Sequence, residues 1–354
     1  MYTHGIPFPL PITAAPPPVS RETAASSASL VDVHGRTHTY LRIAVTEQCN
    51  LRCRYCMPSE VEPTASSLSH LLSDTEILRI VGILAGQGIR KVRLTGGEPL
   101  LRTDIVELAR NLTAIPGVET LALTTNGVRL AHMAGALRDA GLSSVNVSLD
   151  SLQADRFAVI TQRRQFETVC AGIDAALTAG FDHVKINAVI MRGVNDDELF
   201  AFADFANERD IQVRFIEYMP FAGNAWQRGG YVAGEEMRAR LSTRFCLEPV
   251  STADASVAET WKMAGRHGSL GFISALSCQF CDSCNRLRLT ADGALKNCLF
   301  SDHEISLRDA IRQGASDDDV LALVRSSLHG KNANHAPVAS LAAAAGRSMV
   351  RTGG

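Results

Sequence analysis

Between residues 40 and 219, short apolar runs alternate with longer stretches whose apolar positions recur at helical spacing. The runs are YLRIAV from Tyr40, KVRLT from Lys91, TLALTTN from Thr120, SVNVSLD from Ser144, HVKINAVI from His183 and VRFIEYM from Val213. They are rich in β-branched residues and often apolar on both faces, as strands of a doubly covered parallel sheet are. Helix starts lie between them. Ser73 opens SDTE, a capping box with Glu76, and Ile77, Ile80, Val81 and Leu84 follow on one face. Thr103-Asp104 and Asn195-Asp196-Asp197 read as similar starts. A spacing of roughly 25–40 residues between strands suits βαβ units. The pattern predicts an α/β fold with a partial (β/α)6 TIM-like barrel, two strands short of a full one. A doubly wound open sheet gives the same periodicity and stays open as an alternative.

After Pro220 the pattern loosens through FAGNAWQRGGYVAG. RLRLTADGALKNCL then reads as a β-hairpin turning at Asp292-Gly293, and helical stretches follow near Ser306–Gln313 and Asp317–Leu328. Upstream, six of the thirteen prolines fall in the first eighteen residues, too little apolar surface to offset the entropy of ordering. The expected division is a disordered extension over residues 1–35, a barrel over 36–230 and a smaller α+β domain over 231–354.

Composition narrows the function. Hydrophobic residues at 46% and charged residues at 20% are ordinary for a globular protein. A net charge of −2 offers no basic field for nucleic acid. No apolar run approaches the roughly 18 residues a membrane span needs. The N-terminus lacks the basic start and apolar stretch of a secretory signal, and Arg21 is its lone basic residue, so the expected location is the cytoplasm. In a reducing compartment nine cysteines call for metal rather than disulfides.

Six of the nine form two tight groups. Cys49, Cys53 and Cys56 make C-x3-C-x2-C just after the first strand, and Cys281, Cys284 and Cys298 make C-x2-C-x13-C across the hairpin. Three thiolates suit a [4Fe–4S] cluster with one iron left open for a ligand. A structural zinc would want a fourth protein ligand, and none is obvious nearby. Six cations interrupt apolar strands: Arg42, Arg93, Lys185, Arg214, and the pair Arg286 and Arg288, which alternation puts on one face. A buried cation is expensive unless paired or facing a ligand, so six on converging strands favour an anion pocket.

CNLRCRYC resembles the signature of the radical S-adenosylmethionine (SAM) superfamily, and Thr95-Gly96-Gly97-Glu98-Pro99 resembles its glycine-rich element. FCDSCNRLRLTADGALKNCL resembles the C-terminal motif of the GTP 3′,8-cyclases of molybdenum cofactor biosynthesis (the MoaA family). With LRIAVTEQCNLRCRYCMP, KVRLTGGEPLLR, TTNG, VSLD, VKIN and FIEYMP, the similarity runs from about residue 31 to the C-terminus. The resemblance implies two [4Fe–4S] clusters on the two cysteine groups. It implies SAM contacts at Tyr55, Gly97, Ser148 and Met219. Contacts to GTP are implied at Arg42, Arg93, Thr124, Lys185, Arg214, Arg286, Leu287 and Arg288. The implied chemistry is removal of the ribose 3′ hydrogen by a 5′-deoxyadenosyl radical, attack of C3′ on C8 of guanine, and a closing one-electron reduction with protonation, helped by the second cluster, to give 3′,8-cyclo-7,8-dihydro-GTP. An external electron donor, a downstream cyclic pyranopterin monophosphate synthase and a homodimer are implied partners. The terminal Gly353-Gly354 matches the family's diglycine tail, which reaches toward the active site.

Two departures stand out. Cys278 adds a thiol outside the family motif and reads as a spare, and Glu47-Gln48 replaces the usual acidic–basic pair before the first cysteine. Cys170 and Cys246 read as small buried apolar residues. Rival readings are another radical SAM enzyme with an auxiliary cluster, of the peptide-modifying kind, and a non-enzymatic iron–sulfur or zinc module.

Overall fold

The computed structural model describes residues 29–57, 68–251, 257–278, 280–343 and 347–353. The six runs form β1 (Tyr40–Ala44), β2 (Lys91–Thr95), β3 (Thr120–Thr125), β4 (Ser144–Ser148), β5 (His183–Ile190) and β6 (Gln212–Glu217), each parallel to the next. Between them cross α1 (Asp74–Ala85), α2 (Ile105–Thr113), α3 (Leu130–Asp139), α4 (Ala154–Thr161), α5 (Phe166–Thr178) and α6 (Leu199–Arg209). The Ser73 hydroxyl accepts from the Glu76 N–H at 3.3 Å, and Glu76 accepts from the Ser73 N–H at 2.8 Å, so the box that starts α1 is formed. The other two expected caps are not. Asp104 pairs with Arg102 at 2.7 Å instead of capping α2. Asn195 spends its side chain on the Met191 N–H and the Asp150 and Val189 carbonyls, and α6 begins only after a 3-10 turn, Asp196–Glu198.

The strands are not apolar on both faces. Leu41, Ile43, Val92, Leu94, Leu121, Leu123, Val145, Val147, Ile186, Val213 and Phe215 all lie in one hydrophobic core with Ile77, Leu108, Leu137, Ile173 and Phe202 of the helices. Alternation then commits Tyr40, Arg42, Lys91, Arg93, Thr124, Asn146, Lys185, Asn187 and Arg214 to the other face. Four strand spacings, about 19 Å along a flat sheet, separate β2 from β6. Yet Arg214 on β6 feels the charges of Arg93 and Arg42 on β2 and β1. The sheet is therefore curled, with its polar face inside.

The C-terminal region supplies further strands to both edges: β7 (Leu247–Val250), β8 (Glu259–Met263), β9 (Ser269–Ile273), β10 (Arg286–Leu289), β11 (Ala294–Lys296) and β12 (Ile305–Ser306). β9 runs parallel beside β6, and β10 runs parallel beside β1. Eight parallel strands result, two more than the sequence pattern predicts, flanked by antiparallel β8–β7 and β11–β12 in an open sheet. The β10–β11 hairpin turns where expected, with Gly293 at φ +83°. Helices α7 (Gly234–Ser242), α8 (Leu307–Arg312), α9 (Asp317–His329), α10 (Val338–Ala343) and α11 (Met349–Thr352) complete the chain.

The proline-rich stretch and Gly354 lie outside the described residues. Residues 29–35, counted with the disordered extension from sequence, pack: Leu30 is buried, Val31 bridges Thr37, and Asp32 is buried against Arg36. Cys170 is half-buried on α5, but Cys246 is exposed, contrary to its reading as a core residue, because neighbouring Phe245 takes the buried position. Among the described residues, no helix is long and apolar enough to cross a membrane.

Candidate functional site

Cys49, Cys53 and Cys56 lie in the loop beyond β1, half-buried and close enough to disfavour one another's ionisation. Burial, with Cys49 and Asp150 nearby, pushes the Cys56 thiol up to about 12. Three such thiols become ligands together only when a multiply charged metal group compensates their thiolates. Three thiols in one loop with no fourth protein ligand at hand among the described residues are a donor set that fits an iron–sulfur cluster.

The glycine-rich element holds that loop. A Cβ on Gly97 would stand 2.2 Å from the Gln48 carbonyl oxygen, and one on Gly96 would stand 2.4 Å from that of Thr46. The Gly97 and Glu98 N–H groups donate to those two carbonyls, Thr46 at 2.8 Å and Gln48 at 2.6 Å. Glu98 is fully buried and accepts from the Thr125 hydroxyl and the Asn126 N–H, both at 2.6 Å. Burial lifts it to about 7 although these donors oppose the shift. Asn126 in turn donates to the Cys49 sulfur at 3.7 Å. Tyr55 donates to buried Asp150 at 2.8 Å, and the half-buried Ser148 and Met219 lie at or just past the ends of β4 and β6. Glu98 and Asn126 belong to the TGGEP and TTNG motifs, whose sequence alone does not show that the two residues meet.

Inside the curled sheet the cations converge. Arg42 stands in register with Arg93 on one side and Arg288 on the other, so three arginines lie abreast on adjacent strands. Like charges ~5 Å apart at an effective dielectric of ~20 repel by ~3 kcal/mol per pair. Arg214 and Lys185 face them from β6 and β5. Burial, Arg93 and Arg42 bring Arg214 down to about 9, and burial, Arg214 and Arg93 bring Lys185 to about 8. The acidic groups acting most strongly on Arg42, Lys185, Arg214 and Arg288 among the described residues are Tyr40 and the Cys298 thiol. Tyr40 accepts from Arg93 at 2.6 Å, and although burial opposes it, Arg93, Arg42 and Lys91 bring its hydroxyl to about 7. Arg214 Nε and Nη2, with the Oδ1 atoms of Asn146 and Asn187, are buried with no hydrogen-bond partner among the described residues. A polyanion would satisfy the Arg214 donors, and the two amide oxygens would need a hydroxyl or N–H donor beside it. Thr124 joins the pocket, 3.4 Å from Arg93. Sequence reading missed Tyr40 and Lys91, though both share the face of Arg42 and Arg93 two residues away.

Cys281, Cys284 and Cys298 line one cavity with Arg286, Arg288 and Asn297. Burial opposes ionisation of Cys284, but Arg286 and Lys331 outweigh it and bring the thiol down to about 7. Leu287 turns to the opposite face into the core. Cys278 is exposed and is not among the residues lining that cavity. The chain end reaches the same region: Arg288 donates to the Gly353 carbonyl at 3.0 Å. Gly353 has φ +76°, and a Cβ there would stand 2.8 Å from the Thr95 hydroxyl. Fully buried Glu217, at the end of β6, accepts from Tyr231, the Gly234 N–H, and the N–H groups of Leu276 and Ser277, tying the loop before Cys281 to the barrel.

Comparison with known proteins gives two family matches, the radical SAM superfamily over residues 43–206 and Molybdenum Cofactor Synthesis C over residues 211–337. The chain is 46% identical to the GTP 3′,8-cyclase of Moorella thermoacetica, covering 86% of this chain and 94% of that protein. It is 43% identical to the mitochondrial GTP 3′,8-cyclase of Arabidopsis thaliana, covering 93% and 84%. It is also 43% identical to mouse molybdenum cofactor biosynthesis protein 1, covering 95% and 53%, so the chain spans about half the length of that relative. Among solved structures, native anSMEcpe with bound AdoMet superposes with a TM-score of 0.57 at 14% identity, covering 83% of this chain and 81% of that one. Streptococcus suis SuiB bound to S-adenosylmethionine gives 0.53 at 15%, covering 82% and 69%. These two likenesses establish the partial-barrel fold.

Proposed function

The chain belongs to the GTP 3′,8-cyclase family of the radical SAM superfamily, and we propose that it converts GTP to 3′,8-cyclo-7,8-dihydro-GTP, the opening step of molybdenum cofactor biosynthesis. One observation supports the substrate: a row of three arginines in register, Arg93, Arg42 and Arg288, running from β2 through β1 to β10 and ending against the second cysteine group. A triphosphate with close to four negative charges matches it.

In this reading Cys49, Cys53 and Cys56 hold one [4Fe–4S] cluster and Cys281, Cys284 and Cys298 a second. When bound, the first cluster with SAM would supply the radical chemistry that acts at the ribose 3′ position, and the second would supply iron to which guanine could bind. Tyr55, Gly97, Ser148 and Met219 orient SAM at the strand ends. Arg42, Arg93, Lys185, Arg214 and Thr124 fix the triphosphate. Arg286 and Arg288 place the base beside the ribose, while Leu287, turned into the core, anchors the strand that carries them. The buried walls exclude the water that would quench a carbon radical. Residues 36–230 are the radical-generating part and 231–354 the part that carries the second cluster. An external electron donor, a downstream enzyme making cyclic pyranopterin monophosphate, a homodimeric state and a cytoplasmic location complete the proposal.

The test is anaerobic reconstitution and incubation with SAM, reductant and GTP, with mass spectrometry for 5′-deoxyadenosine and cyclised nucleotide. Both products are expected only with GTP, and Cys298→Ala should abolish the cyclised one. SAM cleavage with GTP left intact would overturn the substrate.

A further inference from the structure

Behind the second cysteine group lies a buried polar network that no motif announced. Lys331, only 4% exposed, donates to the Cys284 sulfur at 3.5 Å and to the Arg286 carbonyl at 3.2 Å. Its ammonium also lies 2.8 Å from Nε2 of His38, which is completely buried. An ammonium can only donate, so Nε2 accepts and the proton sits on Nδ1, which donates to the Leu30 carbonyl at 3.3 Å. His38 is therefore neutral, and burial with Lys331 beside it holds its pKa down to about 4. Asp32 stands 3.7 Å from the same ring but is engaged by Arg36 at 2.6 Å. Arg36 continues to the Cys281 carbonyl at 2.9 Å, the Ala333 carbonyl at 2.9 Å and the Asn332 carbonyl at 2.8 Å. Residues 30–38 and 331–333 thus brace two of the three cysteines from behind.

Charge completes the picture. Asp32 and Arg36 cancel, and His38 is neutral. Lys331 is left as a buried cation whose one acidic neighbour within hydrogen-bond reach, among the described residues, is Cys284. A cation there stabilises the thiolate, and it stabilises a reduced, more negative cluster over an oxidised one.

We propose that Lys331, locked by neutral His38, is a positioning residue that sets the reduction potential and retention of the second cluster. This rests on the two-cluster reading above. The test uses the full chain, anaerobically reconstituted, as wild type, Lys331→Met, Lys331→Gln and Lys331→Arg. Each is also made in a background with Cys49, Cys53 and Cys56 changed to Ala, so that one cluster signal remains. Readouts are iron per chain, the midpoint from a redox titration followed by electron paramagnetic resonance, and the rate of iron loss to a chelator. Lys331→Met should move the midpoint to more negative potential and speed iron loss several-fold. Lys331→Gln, which keeps a donor without charge, should shift the midpoint equally but retain iron better. Lys331→Arg should restore most of the midpoint. If Lys331→Met fails to fold, as judged by loss of the first cluster's signal in the otherwise wild-type chain, Lys331→Gln carries the test alone. An unchanged midpoint in both neutral variants overturns the proposal while the two-cluster reading stands. A wild type holding about four irons rather than about eight overturns both.

Discussion

Replacing Arg214 with methionine tests whether the barrel interior is built for an anion at the expense of stability. At pH 7 the guanidinium is charged, well below its pKa of about 9, so the folded state bears the whole penalty. That penalty is relieved only as pH climbs from about 9 toward the ordinary 12.5. Each tenfold loss of proton affinity is worth ~1.4 kcal/mol, which sets a ceiling on the order of 5 kcal/mol. Replacing buried ionic groups by apolar ones of similar volume typically stabilises by about 1–4 kcal/mol. Arg214→Met keeps the stem that packs over Gly271 and removes the unpartnered Nε and Nη2. The ligand-free reconstituted variant should therefore unfold at higher temperature than wild type, by about 1–4 kcal/mol at the midpoint. Its affinity for GTP should fall, since a charge-assisted hydrogen bond to phosphate is worth ~1.5–3 kcal/mol, or roughly 10- to 150-fold. Thermal unfolding without GTP and calorimetric titration with GTP, both anaerobic and without reductant, measure the two arms. A variant that is less stable without ligand, or that binds GTP as wild type does, refutes the reasoning.

Three further outcomes are expected. Tyr40, brought to about 7 by its cations against the pull of burial, should ionise near neutrality in the ligand-free protein. Because its folded pKa is depressed, it adds stability as pH rises from about 7 toward 10. Absorbance at 295 nm, wild type minus Tyr40→Phe, should show that midpoint, and GTP should push it upward; a midpoint indifferent to GTP would count against phosphates in this pocket. Gly97→Ala places a Cβ 2.2 Å from a backbone oxygen and should cost about 3 kcal/mol, with selective loss of first-cluster iron in a metal assay. Glu217→Ala strands several buried donors, should cost roughly 3 kcal/mol, and should lower second-cluster iron while the first cluster loads normally.

The six strands and the cysteine groups were legible because they are local patterns: a run of β-branched residues, a spacing of thiols. Arg42, Arg93 and Arg214 were legible as anomalies, charges where periodicity demanded apolar residues. The two extra parallel strands were not. β9 reads SLGFI and β10 reads RLRL, and nothing in either says that one joins β6 and the other β1, since long-range pairing leaves no trace in local composition. Lys331 and His38 were invisible for the same reason, being 293 residues apart. The failed cap at Asp104 shows the converse, a sound local signal overridden because Arg102 competes for the same carboxylate.

The placement of β10 explains why the two halves of the chain cannot be read as independent chemistry. Arg288 reaches the cation row only because β10 pairs with β1 in the register Arg42↔Arg288. A slip of one residue would send Arg286 and Arg288 into the hydrophobic core and Leu287 into the pocket. Leu287 and Leu289, buried in the same cluster as Leu41 and Ile43, therefore fix the register that the arginines use. Leu295 pairs with Leu289 and holds β11, so that Cys298 follows within three residues of a core contact. Packing on the outer face thus sets which side chains meet on the inner one. The same strand that carries two cations to the pocket also carries the second cysteine group to its edge.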